Sequence, residues 1–246
     1  YDSWHHYAIT FNNSNKDIIF YIDGNIITPE STGGTSSNNI SSTGKINLGV
    51  AEYTDTSKSQ FFNGKMKQFR LYNDIRTQNE IQSVITTTLT TSYPPIYVTP
   101  AYMESKLVLY IKSNTTNGST TIVDSTNRHT IQVSGNTNHS TTKTLSGSTS
   151  IYFDGNGDYL TIPTNDANFS DFDFNQEDFT IEMWLYPTTN HGCPIARANS
   201  SGLQQTQFLF HRHDSKYIIL IGNENGSDGW SLNTGYTGNA TTNKWH

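Results

Sequence analysis

The chain has 246 residues, of which 33% are hydrophobic and 15% charged, both low against typical usage of about 45–50% and about 25%. No apolar run approaches the roughly 18 residues of a membrane-spanning helix, which argues against membrane insertion. A net charge of −6 without a Lys/Arg run argues against nucleic acid or an anionic bilayer as partner. The remaining sequence is rich in Thr, Ser, Asn, Gly and Tyr, as expected of short strands joined by polar loops. Aromatic residues in regular alternation, 12% of the chain, weigh against disorder.

In chain order, alternating runs predict strands at Trp4–Phe11 and Asp17–Tyr21. The second turns through Asp23-Gly24-Asn25, a hairpin signal, into Ile26-Ile27. A Ser/Thr/Gly/Asn loop over 28–44 leads to strands at Lys45–Val50 and Gly64–Tyr72. Thr77-Gln78-Asn79-Glu80 reads as a capping box opening one short helix near 78–85. Residues 87–105, with Pro94-Pro95 and many Thr, read as an extended linker. Strands resume at Leu107–Ile111, Thr130–Ser134, Ser150–Asp154, Tyr159–Ile162 and Phe179–Tyr186. A hairpin follows, Phe208–His213 against Tyr217–Ile221, and a last strand signal falls at Trp245.

The second half carries "LVLYIKSNTTNGSTTIVDSTNRHT", "SIYFDGNGDYLTIP" and "DFTIEMWLYP". These resemble the opening half of a laminin G-like, concanavalin-like jelly-roll domain. "WHHYAITF", "IIFYIDGNII", "INLGV" and "FFNGKMKQFRLYNDIRTQNEIQ" in the first half resemble its closing half. The resemblance implies an all-β, antiparallel jelly-roll β-sandwich and says little about function. The closing half stands first. Three readings follow: one period of a tandem array, one circularly permuted sandwich, or two half-domains completed by partners. The Trp-His pair at Trp245-His246 repeats that at Trp4-His5, as expected of an array cut in mid-domain. On that reading residues 1–86 close one sandwich, 87–105 link, and 106–246 open the next. A lone half would expose apolar sheet faces and strand edges, so an adjacent copy is the expected partner.

The expected function is a structural repeat unit of an extracellular or virion-surface fibre, with glycan or receptor adhesion. The alternative is a discrete carbohydrate-binding module. Glycosidases of this fold carry closely spaced carboxylates. Asp178 and Glu182 share a strand face but lie about 13 Å apart at ~3.3 Å per residue, beyond the about 5–9.5 Å of such pairs, and a non-enzyme is expected. Calcium is the candidate cofactor, with Asp154, Asn156 and Asp158 in "FDGNGDY" as candidate ligands. A second acidic stretch holds Asp171, Asp173 and Asp178. His211 and His213 share a strand face and invite a zinc reading; strand-end histidines usually have no metal. Trp230 and Tyr236, with Asn233, are the candidate sugar platform. N-glycosylation acceptors stand at Asn12, Asn39, Asn114, Asn117, Asn138, Asn168, Asn199, Asn225 and Asn239.

Overall fold

The computed structural model describes residues 3–28, 31–33, 44–54, 57–90, 105–145, 149–174, 177–198, 206–213, 216–221 and 232–236. The first segment supplies β1 (His5–Asn12), β2 (Asp17–Ile22), β3 (Asn25–Ile27), β4 (Ser31–Gly33), β5 (Lys45–Leu48), β6 (Ala51–Thr54), β7 (Ser57–Ser59), β8 (Asn63–Tyr72) and helix α1 (Gln78–Thr90). The second supplies β9 (Leu107–Ile111), β10 (Gln132–Ser134), β11 (Asn138–Ser140), β12 (Ser150–Asp154), β13 (Tyr159–Ile162), β14 (Phe179–Pro187), β15 (Gly192–Ala198), β16 (Thr206–His213), β17 (Lys216–Ile221) and β18 (Leu232–Tyr236).

Two antiparallel sheets face each other. The first runs β11-β12-β8-β14-β1-β2-β3, with β9 also on β8. The second runs β10-β13-β5-β15-β16-β17-β18-β4. Alternation explains the layering. In β1, Tyr7, Ile9 and Phe11 point into the core, as do Phe179, Ile181, Met183 and Leu185 of β14. Their rings meet the second sheet directly: Tyr7 and Tyr217 hydroxyls are 2.7 Å apart, and Phe20 and Phe179 lie 5.5 and 5.8 Å from Tyr217 and Phe208. The all-β sandwich expectation holds.

The local signals act as their chemistry requires. Asp23 and Gly24 both have positive φ, 51° and 74°, and Ile22 pairs with Asn25; that geometry gives the two-residue turn that matches strand twist. Gly49 has φ of 92°, and a Cβ there would stand 2.7 Å from the Phe153 ring. Only glycine fits between β5 and β12. Thr77 and Glu80 form the capping box, with the Thr77 N–H and hydroxyl donating to Glu80 Oε2 at 2.7 and 2.9 Å.

Helix α1 continues to Thr90, into the stretch read as linker. Once a nucleus exists, each further residue adds a bond, and the Thr86 hydroxyl donates back to the Gln82 carbonyl at 3.0 Å. Its Ile81 and Ile85 pack on Ala8, Ile19 and Tyr21, covering part of the outer face of the first sheet. This cover over Ala8 helps to bury the outer face of β1, and β14 beside it is buried on both faces as well.

Residues 1–86 and 106–246 were expected in successive sandwiches. In this chain they share the same two sheets. Single strands of the first segment fill slots in the second: β8 lies between β12 and β14, and β5 between β13 and β15. Leu48 of β5 pairs with Leu160 on one side and Ile195 on the other. Each half needs a complement, and here the complement is its own chain.

Acid sensitivity is built into β11 and into a loop flanking the sandwich. Buried His139 has Thr121 carbonyl oxygen 3.0 Å from Nε2 and Ser113 Oγ 2.7 Å from Nδ1. A carbonyl only accepts, so Nε2 carries the proton and Nδ1 accepts from Ser113. Burial lowers the pKa of His139 despite the Thr121 contact. The unfolded chain therefore takes up this proton first, and the stability it confers is present above about pH 6.5 and lost as pH falls. Asp166 adds a second, lower window. Burial opposes its ionisation, but the Thr130 and Asn168 N–H groups and His129 hold its carboxyl below the ordinary range. Its contribution is lost as pH falls below about 4. Melting temperature is expected to fall from pH 7 to pH 5, and His139→Gln should flatten that part of the profile, as read by calorimetry.

Candidate binding face

The outer face of the first sheet, away from the core, carries the densest polar chemistry among the described residues. Directly paired residues of antiparallel strands share a face, so the register lays out cross-strand rows. Ala8 pairs with Glu182, which pairs with Arg70. His6 pairs with Trp184, which pairs with Lys67. Tyr186 pairs with Lys65, which pairs with Tyr152, and Trp4 joins this row with its ring 5.7 Å from Tyr186.

Glu182 is wholly buried. Its Oε1 accepts from the Tyr72 hydroxyl at 2.9 Å and lies 3.6 Å from Arg70 Nη1. Its Oε2 stands 3.5 Å from His6 Nε2, an ion-pair distance long for a hydrogen bond. Burial opposes ionisation of Glu182, yet His6, Arg70 and the Tyr72 hydroxyl hold its carboxyl below the ordinary range. Arg70 also donates to the Tyr110 hydroxyl at 2.9 Å. The cluster ties β1, β14, β8 and β9 together from outside the core. Asp178 opens β14, where its Oδ1 accepts the Asn13 N–H at 2.8 Å, so the two carboxylates weighed as a glycosidase pair have separate structural partners.

The neighbouring rows are basic and aromatic. Lys67 is buried and donates to the Thr149 carbonyl at 2.8 Å, while Lys65 Nζ lies 3.5 Å from the Tyr152 ring centroid. Burial lowers both lysines to about 8. Exposed Lys143 reaches over the Tyr186 ring at 5.6 Å.

The other anticipated sites are placed as follows. Asp158 is buried, and its two oxygens accept the Asn136 and Asp154 N–H groups at 2.7 and 3.0 Å. Asn156 enters through its backbone N–H, 2.7 Å from Asp154 Oδ1. Asn136, absent from the sequence reading, would donate to both carboxylates in the amide orientation that satisfies its side chain. Burial raises Asp158, against hydrogen bonds from Asp154 and Asn136. These contacts are those of a folded turn. Among the described residues no group of three His, Cys, Asp or Glu is placed to hold a metal. Arg128 pairs with Asp171, and Arg197 with Asp173. His211 Nε2 lies 2.9 Å from Gln60 Oε1.

Trp230 lies outside the described residues. Asn233 and Tyr236 stand in β18, opposite Leu220 and Tyr217. Of the glycosylation acceptors, Asn39, Asn199, Asn225 and Asn239 lie outside the described residues. Asn114, Asn117 and Asn168 are exposed, and Asn12 and Asn138 are half-buried. Asn117 Oδ1 accepts the Thr141 N–H at 3.0 Å, and Asn168 Nδ2 donates to the Arg128 carbonyl at 2.7 Å. Among the described residues no helix is long and apolar enough to cross a membrane.

Comparison with known proteins gives one family match, to the concanavalin A-like lectin/glucanases superfamily, over residues 1–82, a third of the chain. The matched stretch runs from the start of the chain through β8 and into α1. Comparisons with curated proteins and with solved structures give no match. The superfamily's description spans both lectins and glucanases. Residues 1–82 thus carry the signature of the concanavalin A-like lectin/glucanase superfamily, and the described chain folds as a β-sandwich of the kind that superfamily implies.

Proposed function

We propose that the chain is a non-catalytic structural and adhesive module of an extracellular or virion-surface fibre, in which the closing half of one copy can complete the opening half of another. The interleaving of the halves carries this reading. Strands β5 and β8 each occupy a one-strand slot between strands of the second segment. An empty slot leaves two unpaired edges and an opened core, so a slot selects a specific occupant. A neighbouring copy presents the same strands in the same register, and exchange of an identical element is a low-cost route to assembly. A head-to-tail exchange of this kind propagates wherever its rotation does not close a ring.

The experiment is a two-colour exchange. Copies labelled separately on the two halves are unfolded together, refolded at high concentration and followed by energy transfer and electron microscopy. Intermolecular transfer in periodic oligomers is expected. Monomers without transfer would overturn the fibre reading. The self-completed sandwich would then favour the discrete carbohydrate-binding module, since within this chain each half already completes the other.

A further inference from the structure

We infer that Asn156 is a site of spontaneous deamidation in the folded chain, and that its products loosen the joint at which the two segments meet. An Asn-Gly step is open to this reaction because glycine places no side chain beside its own attacking nitrogen. Such steps stand at Asn63-Gly64, Asn117-Gly118, Asn156-Gly157 and Asn225-Gly226; the last lies outside the described residues. The Asn side chain must fold back onto the Gly nitrogen. Hydrogen bonds that hold either group therefore suppress the reaction.

Two of the three described steps are held. Asn63 Nδ2 donates to the Asp154 carbonyl at 2.7 Å, and its Oδ1 accepts from the Thr188 hydroxyl. Gly64 is buried in β8, paired with Phe153 on one side and Pro187 on the other. Asn117 Oδ1 accepts the N–H and the hydroxyl of Thr141 at 3.0 and 3.2 Å, and the Gly118 N–H donates to the His139 carbonyl at 2.7 Å. Asn156 differs at both groups. It is exposed, and its backbone N–H, not its side chain, makes the contact to Asp154 Oδ1. The Gly157 N–H has no hydrogen-bond acceptor among the described residues. Gly157 has φ of 84°, and a Cβ there would meet nothing within 4 Å, so the nitrogen lies in open space.

The Gly157 nitrogen attacks Cγ of Asn156. A bond forms between them, the Cγ–Nδ2 bond breaks, and ammonia leaves with the proton that Gly157 gives up. Water then opens the succinimide at either carbonyl, giving aspartate or isoaspartate with no change of oxidation state. The place gives the reaction its effect. The step lies in the turn between β12 and β13, which pair with β8 and β5 of the first segment. That turn is tightly seated: a Cβ on Gly155 would stand 2.8 Å from Asn63 Cβ, and one on Gly135 2.7 Å from the Gly157 carbonyl oxygen. Isoaspartate adds a carbon to the main chain where no room is left. Either product sets a third carboxylate beside Asp154 and Asp158, and like charges repel. The lost fit falls on the seats of β8 and β5. This chemistry does not depend on fibre assembly.

The test incubates the full chain, folded and in parallel unfolded in urea, at pH 7 and pH 8.5, with timed peptide mapping by mass spectrometry and isoaspartate labelling. In the folded chain Asn156 should convert at least roughly tenfold faster than Asn63 and Asn117, while unfolding brings the three rates together, as protection by local structure requires. Conversion should quicken at the higher pH, because the Gly157 nitrogen reacts after losing its proton. Asn156→Gln should abolish the product at that position. The modified fraction, separated by anion exchange on its added charge, should melt at least about 2 °C below the intact chain. No conversion at Asn156, equally fast conversion at Asn63 or Asn117 in the folded chain, or a modified fraction that melts with the intact chain would overturn the inference. None of these outcomes bears on the exchange experiment, so the two readings fail separately.

Discussion

Glu182→Ala is expected to destabilise the fold by about 3–5 kcal/mol, the cost of removing one partner from a buried ion pair. Glu182 is wholly buried and Arg70 nearly so. Without the carboxylate, Arg70 keeps its charge beside Tyr110 while the Tyr72 hydroxyl loses its acceptor. His6 already lacks a closer hydrogen-bond partner. The large cost comes from the charge left behind, so Glu182→Gln, which can still accept from Tyr72, should cost less than Glu182→Ala. Urea denaturation reads both, with the midpoint shifting and the slope held. A loss below about 1 kcal/mol for Glu182→Ala would mean that the cluster is solvated and the outer face is not sealed.

Phe179→Ala should cost about 3–5 kcal/mol, as large-to-small changes of aromatic core residues do. Phe179 is fully buried and touches three rings from different parts of the chain. Phe11 of β1 is 5.3 Å away, Phe174 4.9 Å and Phe208 of β16 5.8 Å. One side chain thus joins the two sheets and the two segments. The Phe11 contact crosses from residues 1–86 to 106–246, so a cavity here weakens the association of the halves as well as the core. Phe179→Leu, which keeps most of the volume, should cost less than half as much. Chemical denaturation of the two variants side by side checks the order.

Much of this fold was legible because the strands alternate and their ends carry turn chemistry. Leu107–Ile111, Ser150–Asp154 and Tyr159–Ile162 fall where alternation placed them. Strand β15 was missed because "GCPIARA" combines a glycine, a proline and a basic residue that mimic a loop. Its Arg197 is buried by donating to the Gly44 carbonyl and pairing with Asp173, contacts no local pattern announces. Strands β6 and β7 are only four and three residues long, too short to show an alternation.

The binding face was harder to see. Trp184 is as apolar as a core residue, yet it alternates with the inward Met183 and Leu185 and lies on the outer face, beside His6. Both faces of β14 are buried, so hydropathy could not tell inward from outward. Lys65 and Lys67 sit two residues apart within a strand, a spacing with meaning only once β12 and β14 are known to flank them. The hydrogen bonding of the calcium candidates was hidden for a simpler reason. In a Gly-bearing turn the nearest donors to a carboxylate are backbone N–H groups, and Asp158 takes two of them.

The central claim is that neither segment can bury its sheets without the other, and one measurement tests it directly. Residues 1–90 and 105–246 are produced as separate polypeptides and their near-ultraviolet circular dichroism is recorded alone and after mixing. Each alone should lack fixed aromatic signal and cooperative melting, while the equimolar mixture should recover the spectrum and transition of the intact chain. A cooperative transition in either segment alone, unchanged by adding the other, would contradict the account.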